Sequence, residues 1–433
     1  DFPLQSSVLP HCFSHESNKK KLQVLTATNG VGEVPFIRCY LVGREYSGKS
    51  TLCKNFVEIQ SQYEGRDSSE FVDVSLQDRT QGVSIYRTHR GEDCFFFCRN
   101  LELVFLDFGG HALYHCAHEF FMSDPNYMVV VALSPFEPSY DESGHLTEVA
   151  VPSGSLDPYV GMGLELRHWL TMIMAHRKPG ASSRDVNPLH AIVCFGRKDL
   201  FEYDEKRLRI TLLDIQEAFP HVWLHTDLHD QGLEDEGWEP ILLDFRDSSS
   251  AEMRKFKNLL AHGVGRVVQR SSTQQPLIFE QGRNVVTELR EKNVGRCLFP
   301  TKDLRMALME NECVRQFVVH PEAELMDMLL DYLTSVGEIF VVPDSTEGVG
   351  PCRQFCVLDF EWIFRDVIGA ILPVHPSSSS ESSEALRDRD GRISMDEICR
   401  RLVLSKSTNS DTLFLETEFA VHVMQIMGLC MVD

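Results

Sequence analysis

The sequence predicts an α/β protein in which a mostly parallel sheet carries helices on both faces, followed by a second, mainly helical (α+β) domain. Three observations carry this reading. Between Pro35 and about Ser271, short continuous apolar runs alternate with helical patterns, as strands covered on both faces require. The first of those runs, "FIRCYLV", leads directly into the glycine-rich turn "GREYSGKS", which opens a helical pattern. From about Ser272 the alternation stops and helical spacing takes over.

Taken in order, residues 1–34 are polar, with "NKKK" at Asn18–Lys21, and read as a loose lead-in. The strand candidates are Phe36–Val42, Ser84–Thr88, Cys94–Phe97, Leu101–Asp107, Tyr127–Leu133, His190–Gly196 and Pro240–Phe245. The helix candidates between them are Lys49–Ile59, Ala112–Phe121, Val160–Ala175, Glu205–Ala218 and Ala251–Val268. Ser134–Pro158 and His225–Glu239 are rich in Pro, Gly, Ser and acids and read as loops. Further on, helical patterns fall at Val285–Lys292, Thr301–Asn311 and Pro321–Ser335, the last stopped by Gly337. "EIFVV" and "QFCVLDF" read as a small hairpin, "EWIFRDVIGAIL" as an amphipathic helix, and Glu416–Met427 as a last helix. The Ser-rich tract at about 375–391 has low complexity and is expected to be mobile. The domains expected are a lead-in over 1–34, an α/β domain over 35–271 and a second domain over 272–433.

The totals bound the function. A chain of 433 residues exceeds one ordinary domain, and 43% hydrophobic residues supply packed cores. The 42 basic against 64 acidic residues give a net charge of −22, which repels nucleic-acid phosphates and anionic lipid, so no nucleic-acid partner is expected. One bound nucleotide is still compatible, because a phosphate cradle needs only local N–H groups, a lysine and a metal. The 13 cysteines include Cys39, Cys94, Cys98 and Cys194 in apolar runs; they read as reduced, buried thiols and point to a cytoplasmic protein. No CxxC pair suggests zinc, and neither a signal peptide nor an apolar stretch of transmembrane length occurs. The abrupt start at Asp1 and the end at "GLCMVD" lead us to expect a piece of something larger.

Gly43, Gly48, Lys49 and Ser50 fit the pattern G-x-x-x-x-G-K-[ST] between a strand and a helix. The glycines free the backbone N–H groups of the loop, through Arg44, Glu45, Tyr46, Ser47 and on to Thr51, to wrap a β-phosphate. Lys49 would neutralise β/γ charge, Ser50 would ligate Mg²⁺, and the helix adds its positive N-terminal end. "LELVFLDFGG" is a strand ending in Asp107 and then D-x-x-G. Asp107 would hold Mg²⁺ through water, and the Gly110 N–H would contact a γ-phosphate. Thr80, in "QDRTQGVSIY" between these motifs, is the candidate switch threonine on Mg²⁺.

The base is read from "HAIVCFGRKDL". Guanine readers usually place N-K-x-D after this strand, the Asp accepting both guanine N–H donors. Here Asp199 is in place, Arg197 can pack its stem along the base beside Lys198, and Gly196 stands where Asn is usual. Adenine lacks the donor pair, so the acid argues for guanine; the plainer alternative is a helix-capping aspartate. "RDSSSAE" supplies a candidate backbone contact to guanine O6 around Ser248.

The pattern resembles the Roco family, whose members join a Roc GTPase domain to a COR domain. "GREYSGKSTL", "RTQGVSI", "LDFGGHALYH" with "HEFFM", "LRHWLTMI" and the degenerate "GRKD" carry the first half of the resemblance. "MDMLLDYLTSVGEIFVV" followed by "VLDFEWIFRDVIGAIL" is similar to the first half of COR. The resemblance runs from about Phe36 to the C-terminus. It implies a P-loop small-GTPase-like sheet, GTP and GDP with Mg²⁺ as ligands, slow GTP hydrolysis, and a regulatory switch acting on unknown protein effectors. It also implies a homodimer through COR, although the chain ends where the second COR half, which carries much of that contact, would begin. Roco proteins commonly relax N-K-x-D. His111 follows D-x-x-G, where many small GTPases use Gln to position the attacking water; translational GTPases use His there, which makes His111 the water-positioning candidate.

Two other functions are weighed against this one. His111 and Gly196 motivate a scaffold that binds nucleotide, or none, without hydrolysing it. An ATP-driven switch is opposed by Asp199. His111, His115 and His118, spaced i, i+4, i+7, would stack on one helical face and could hold a metal, but the switch explains one of them better. "DRDGRISMDE" resembles part of a calcium loop, but its first position would be Leu386, which cannot ligate.

Overall fold

The computed structural model describes residues 31–32, 36–55, 83–87, 102–109, 127–140, 146–150, 157–176, 188–225, 240–270, 275–293, 298–312, 314–315, 323–341, 354–359, 362–368, 394–405 and 413–426. These fall into two compact units. Described residues between Val34 and Ser272 form the first; those from Thr273 onward, with the short strand β1 (Val31–Gly32), form the second.

The first unit opens with β2 (Phe36–Val42), the glycine-rich loop and α1, described over 49–55. There follow β3 (Val83–Arg87), β4 (Glu102–Phe108), β5 (Tyr127–Leu133), the hairpin strands β6 (Glu137–Tyr140) and β7 (Leu146–Ala150), and α2 (Pro158–His176). Then come β8 (Leu189–Gly196), α3 (Glu205–Ala218), β9 (Val222–Leu224), β10 (Ile241–Leu243) and α4 (Ala251–Arg270). The sheet order is β10-β8-β5-β2-β4-β3, with β9 also paired to β8. Every pairing is parallel except β3 with β4.

Alternation along the strands builds the core. Ile37, Cys39 and Leu41 of β2, Met128, Val130 and Ala132 of β5, and Ile192 and Cys194 of β8 share one face. They cluster with Met253, Phe256, Leu260 and Val264, which recur at helical spacing along α4, and with Leu52 and Cys53 of α1. Helix α2 packs on β5 and against α3, burying Leu166, Trp169, Leu170 and Ile173. Both faces of β5 and β8 are buried, which is why β5 reads as an unbroken apolar run and β8 as one interrupted only by the buried His190.

In the second unit, β1 pairs antiparallel with β11 (Gln275–Pro276), so the described end of the expected loose lead-in is a strand. Next come α5 (Leu277–Lys292), β12 (Phe299–Pro300), α6 (Thr301–Glu310), α7 (Ala323–Ser335), β13 (Phe340–Val341) and β14 (Phe355–Val357). The expected hairpin of β13 and β14 is present, with β12 added as a third antiparallel strand. Phe279 of α5 stacks on Tyr332 of α7 with centroids 4.0 Å apart. Gly337, at φ 63°, stops α7, and the Glu338 N–H reaches back to the Leu333 carbonyl at 2.8 Å. Helices α8 (Met395–Ser405) and α9 (Leu413–Ile426) follow.

Four expectations are corrected. The loop expected over Ser134–Pro158 contains the β6–β7 hairpin, whose short strands are rich in polar residues and show no apolar period. The three-residue strand β9 lies beyond α3, where no strand was expected. Helix α5 begins at Leu277 rather than Val285, because Gly282 faces Leu329 of α7 and interrupts only the apolar pattern. "EWIFRDVIGAIL" is described as a π-helical segment, Trp362–Ile368, whose wider turn puts buried Trp362 and Val367 on one face. The Cys94–Phe97 strand, the Ala112–Phe121 helix and the Ser-rich tract lie outside the described residues. No described helix is long and apolar enough to cross a membrane.

Candidate functional site

The turns after β2, β8 and β10 lie at the carboxyl ends of parallel strands, in a sheet where β2 sits between β4 and β5. In open α/β sheets the crevice outside these ends is where ligands bind. The loop after β2 is the glycine-rich turn. Gly43 (φ 145°) and Gly48 (φ 94°) take backbone conformations closed to other residues, and Tyr46 (φ 58°) holds a left-handed one as well. A Cβ on Gly43 would lie 2.2 Å from the Ala132 carbonyl oxygen, so the turn runs hard against the end of β5. Glu45, Ser47 and Thr51 continue the same turn and first helical residues.

Lys49 is buried, and its Nζ donates to the Gly43 and Arg44 carbonyls, both at 2.8 Å. Burial lowers its pKa, while the charges of Asp107, Glu165 and Glu45 oppose that shift. Ser50 Oγ donates to Asp107 Oδ2 at 2.5 Å. Asp107 is fully buried near the end of β4, opposite Leu41 of β2. Parallel pairing therefore brings together a hydroxyl and a carboxylate that are 57 residues apart. Two hard oxygen donors beside a phosphate-type loop fit the ligand chemistry of Mg²⁺.

A carboxylate that the sequence did not single out holds the loop from α2. The Arg44 N–H donates to Glu165 Oε1 at 2.7 Å, and its guanidinium Nε donates to Oε2 at 2.5 Å. Glu137 of the hairpin takes another guanidinium nitrogen. Burial alone would lower the Arg44 pKa, but the charges of Glu165 and Glu137 outweigh it and hold the group above its ordinary value.

The other end of the crevice is built from the turns after β8 and β10. Arg197 (φ 62°) starts the first turn, its guanidinium 5.4 Å from the Phe136 ring centre, and Lys198 pairs with Glu252. Asp199 is not the cap of α3; Asp204 is, its carboxylate accepting from the Lys206 and Arg207 N–H groups. Instead Asp199 is bonded by Arg246 and faced by Arg197 Nε at 3.7 Å. Ser248 lies in the turn leading into α4, where Asp247 accepts from the Ser249 N–H at 3.0 Å and Ser250 Oγ caps Met253 N at 3.1 Å.

Phe245 joins the two ends. A Cβ on Gly48 would lie 2.2 Å from its ring and one on Gly196 would lie 2.4 Å from it. The ring fills the space between the phosphate-type loop and the base-side turn, and Asn55 of α1 donates to the Phe245 carbonyl. Gly196, the departure from N-K-x-D, thus has a steric reason: no side chain fits there beside Phe245.

Gly43 to Thr51, Asp107, Arg197, Lys198, Asp199 and Ser248 are all described; Asp107 lies near the end of β4, Lys49 to Thr51 in the first turn of α1, and the others in turns after β2, β8 and β10. Thr80, Gly110 and His111 lie outside the described residues, as do His115, His118 and the calcium-like stretch before Ser394. The sequence reading missed Glu137, Glu165, Phe245 and Arg246. For Arg246 and Phe245 a signal existed, since Arg246 opens the quoted "RDSSSAE" and Phe245 directly precedes it; nothing in the local pattern marks Glu165 as different from any other helix carboxylate.

No family model matches the chain, and no curated protein matches it. Among solved structures, Roco2 RocCORdC of Methanosarcina barkeri, bound to GDP, is similar over 94% of this chain and 95% of that one, with TM-score 0.53 and 15% identity. The small GTPase Arl6 (BBS3) of Trypanosoma brucei, with bound GppNp, aligns over 53% of this chain and 97% of that one, with TM-score 0.32 and 11% identity. The likeness to the first spans nearly the whole of both molecules, and on that ground the chain has the fold of a Roc–COR protein.

Proposed function

We propose that the chain binds guanine nucleotide with Mg²⁺ and hydrolyses GTP, as the regulatory switch of a larger signalling protein. The GTPase domain would span 35–271 and a COR-like domain 272–433. The observation that carries the reading is the contact of Ser50 with Asp107 at 2.5 Å beside a loop whose lysine is buried under it. GDP bound to the structural neighbour of similar fold supports it.

Lys49 has three N–H donors; two hold the loop's own carbonyls, and one is left for a phosphate oxygen. The loop N–H groups and the start of α1 hold the remaining phosphate charge. Ser50 and Asp107 would hold Mg²⁺, with Thr80 as a further ligand, and the ion when bound neutralises charge between the β- and γ-phosphates. Gly110 would contact the γ-phosphate, His111 would orient water, and Asp199 would accept the two guanine N–H donors beside Arg197 and Lys198. Ser248 would supply the contact to O6.

The test is nucleotide affinity followed by single-turnover hydrolysis. GDP and GTP should bind more tightly than ATP, and Lys49→Ala should abolish binding. Wild type should release γ-phosphate from bound GTP, and Asp107→Ala should not. Tighter ATP binding, or a Lys49→Ala variant that binds normally, overturns the reading. Bound GTP with a flat wild-type trace would instead support the scaffold.

A further inference from the structure

On the reading of Asp199 as the guanine partner, the chain already supplies that carboxylate with a substitute. Arg246 Nη2 donates to Asp199 Oδ2. Arg197 Nε faces the other oxygen at 3.7 Å. A guanidinium offers parallel N–H donors in a planar fork. Guanine offers the same kind of edge, N1–H beside the exocyclic amine. Arg246 takes one of the Asp199 oxygens through a single N–H, and a base bound there would need that same oxygen, so the two compete for Oδ2.

The neighbouring groups make Arg246 the mobile partner. Its side chain is 63% exposed, whereas that of Arg197 is 28% exposed and lies at the Phe136 ring. Arg246 also has somewhere to go. Its Nε lies 3.4 Å from Asp244 Oδ1, and that same oxygen accepts the Arg246 N–H at 3.0 Å. On leaving Asp199, the guanidinium keeps a second carboxylate. An exposed ion pair of this kind is weak and salt-sensitive, so it can be displaced by a ligand.

We propose that Arg246 is a placeholder for guanine. It holds an Asp199 oxygen that the base would take, gives way to the base, and lowers the affinity of the site by slowing association. Only the fraction of molecules with Asp199 open is competent to take the base, so the apparent dissociation constant is the intrinsic one divided by that fraction.

The test uses the full chain and fluorescent GDP in stopped flow. Arg246→Ala should tighten GDP binding roughly two- to sixfold, through faster association with dissociation unchanged. Arg246→Lys, which keeps the charge and one donor for Asp199 but loses the second hold on Asp244, should fall between. The gain should shrink at high salt and vanish in an Asp199→Asn background. Weaker or unchanged GDP binding in Arg246→Ala, or a gain that survives in Asp199→Asn, overturns the placeholder. Wild-type protein that binds no guanine nucleotide, or Asp199→Asn protein that binds GDP as wild type does, overturns the base reading itself and the placeholder with it.

Discussion

Restoring the asparagine that guanine readers usually carry at position 196 should damage this protein. In Gly196→Asn the new Cβ would stand 2.4 Å from Phe245 Cε2, 3.2 Å from Cδ2 and 3.0 Å from the Ser47 carbonyl oxygen. Ordinary carbon contacts begin near ~3.5 Å, so the overlap with the ring is about 1 Å. Phe245 is only 3% exposed and belongs to the cluster between the sheet and α4, so the ring has no free volume to enter. Overpacking of this kind costs roughly 1–3 kcal/mol, which for a unit of this size lowers the thermal midpoint by roughly 2–12 °C. Since the same ring abuts Gly48, its displacement presses on the phosphate-type loop, and GDP affinity should fall by about fivefold for each ~1 kcal/mol transmitted.

A thermal scan with and without GDP reads this out. The chain has two units and need not unfold in one step, so the relevant transition is the one that GDP shifts upward. A double mutant closes the argument. Phe245→Ala alone should cost about 3–5 kcal/mol through the cavity it leaves. With Gly196→Asn added, the asparagine enters that cavity, and the pair should cost at least ~1 kcal/mol less than the sum. A Gly196→Asn protein as stable as the parent, or strictly additive costs, refutes the steric account of Gly196.

Three further outcomes follow from the contacts described. Glu165→Ala removes the acceptor of the Arg44 N–H and the anchor of its guanidinium; we expect about 1–3 kcal/mol of destabilisation and weaker GDP binding, measured in the same scan, and an unchanged GDP affinity would deny the glutamate a part in holding the loop. In the second unit, Glu338 lies between Arg283 Nε at 3.0 Å and Arg290 Nη2 at 3.2 Å, and Glu338→Ala leaves Arg283 charged and buried, so urea unfolding of that unit should lose about 3–5 kcal/mol; a loss below ~1 kcal/mol would contradict this. Burial raises the pKa of the thiols of Cys39, Cys53 and Cys194 and pushes that of Cys356 up to about 12, so all four stay protonated at pH 7–8 and should react with a thiol reagent only after urea is added; rapid labelling of the native protein at any of these four positions, seen by peptide mapping, would count against their burial.

What could be read in advance follows the physics of each element. Strands β2 and β5 were legible to the residue because burial on both faces leaves a run that is wholly apolar in β5 and broken only by the buried Arg38 in β2, with sharp ends. Helix α3 was legible because Asp204 caps it and its buried residues, Leu208, Leu212 and Ile215, recur at helical spacing. The β6–β7 hairpin was not, since its strands are short, Pro138 and Glu148 break any apolar period, and its register shifts at Ser139/Tyr140. The site divides the same way. The glycine-rich loop carries its geometry in consecutive residues, and Asp107 ends an apolar strand, so local pattern finds both. Glu165 meets Arg44 across 121 positions and Asn55 meets the Phe245 carbonyl across 190, through a strand order that no local pattern encodes. This difference also explains why Gly196 looked like decay of a motif. Read along the chain it is a missing asparagine; across the sheet it is the space Phe245 needs in order to wedge the base-side turn against the phosphate-type loop. The two turns are joined by packing between Gly48, Gly196 and Phe245, while Asp199 on the same side is held by Arg246 and faced by Arg197.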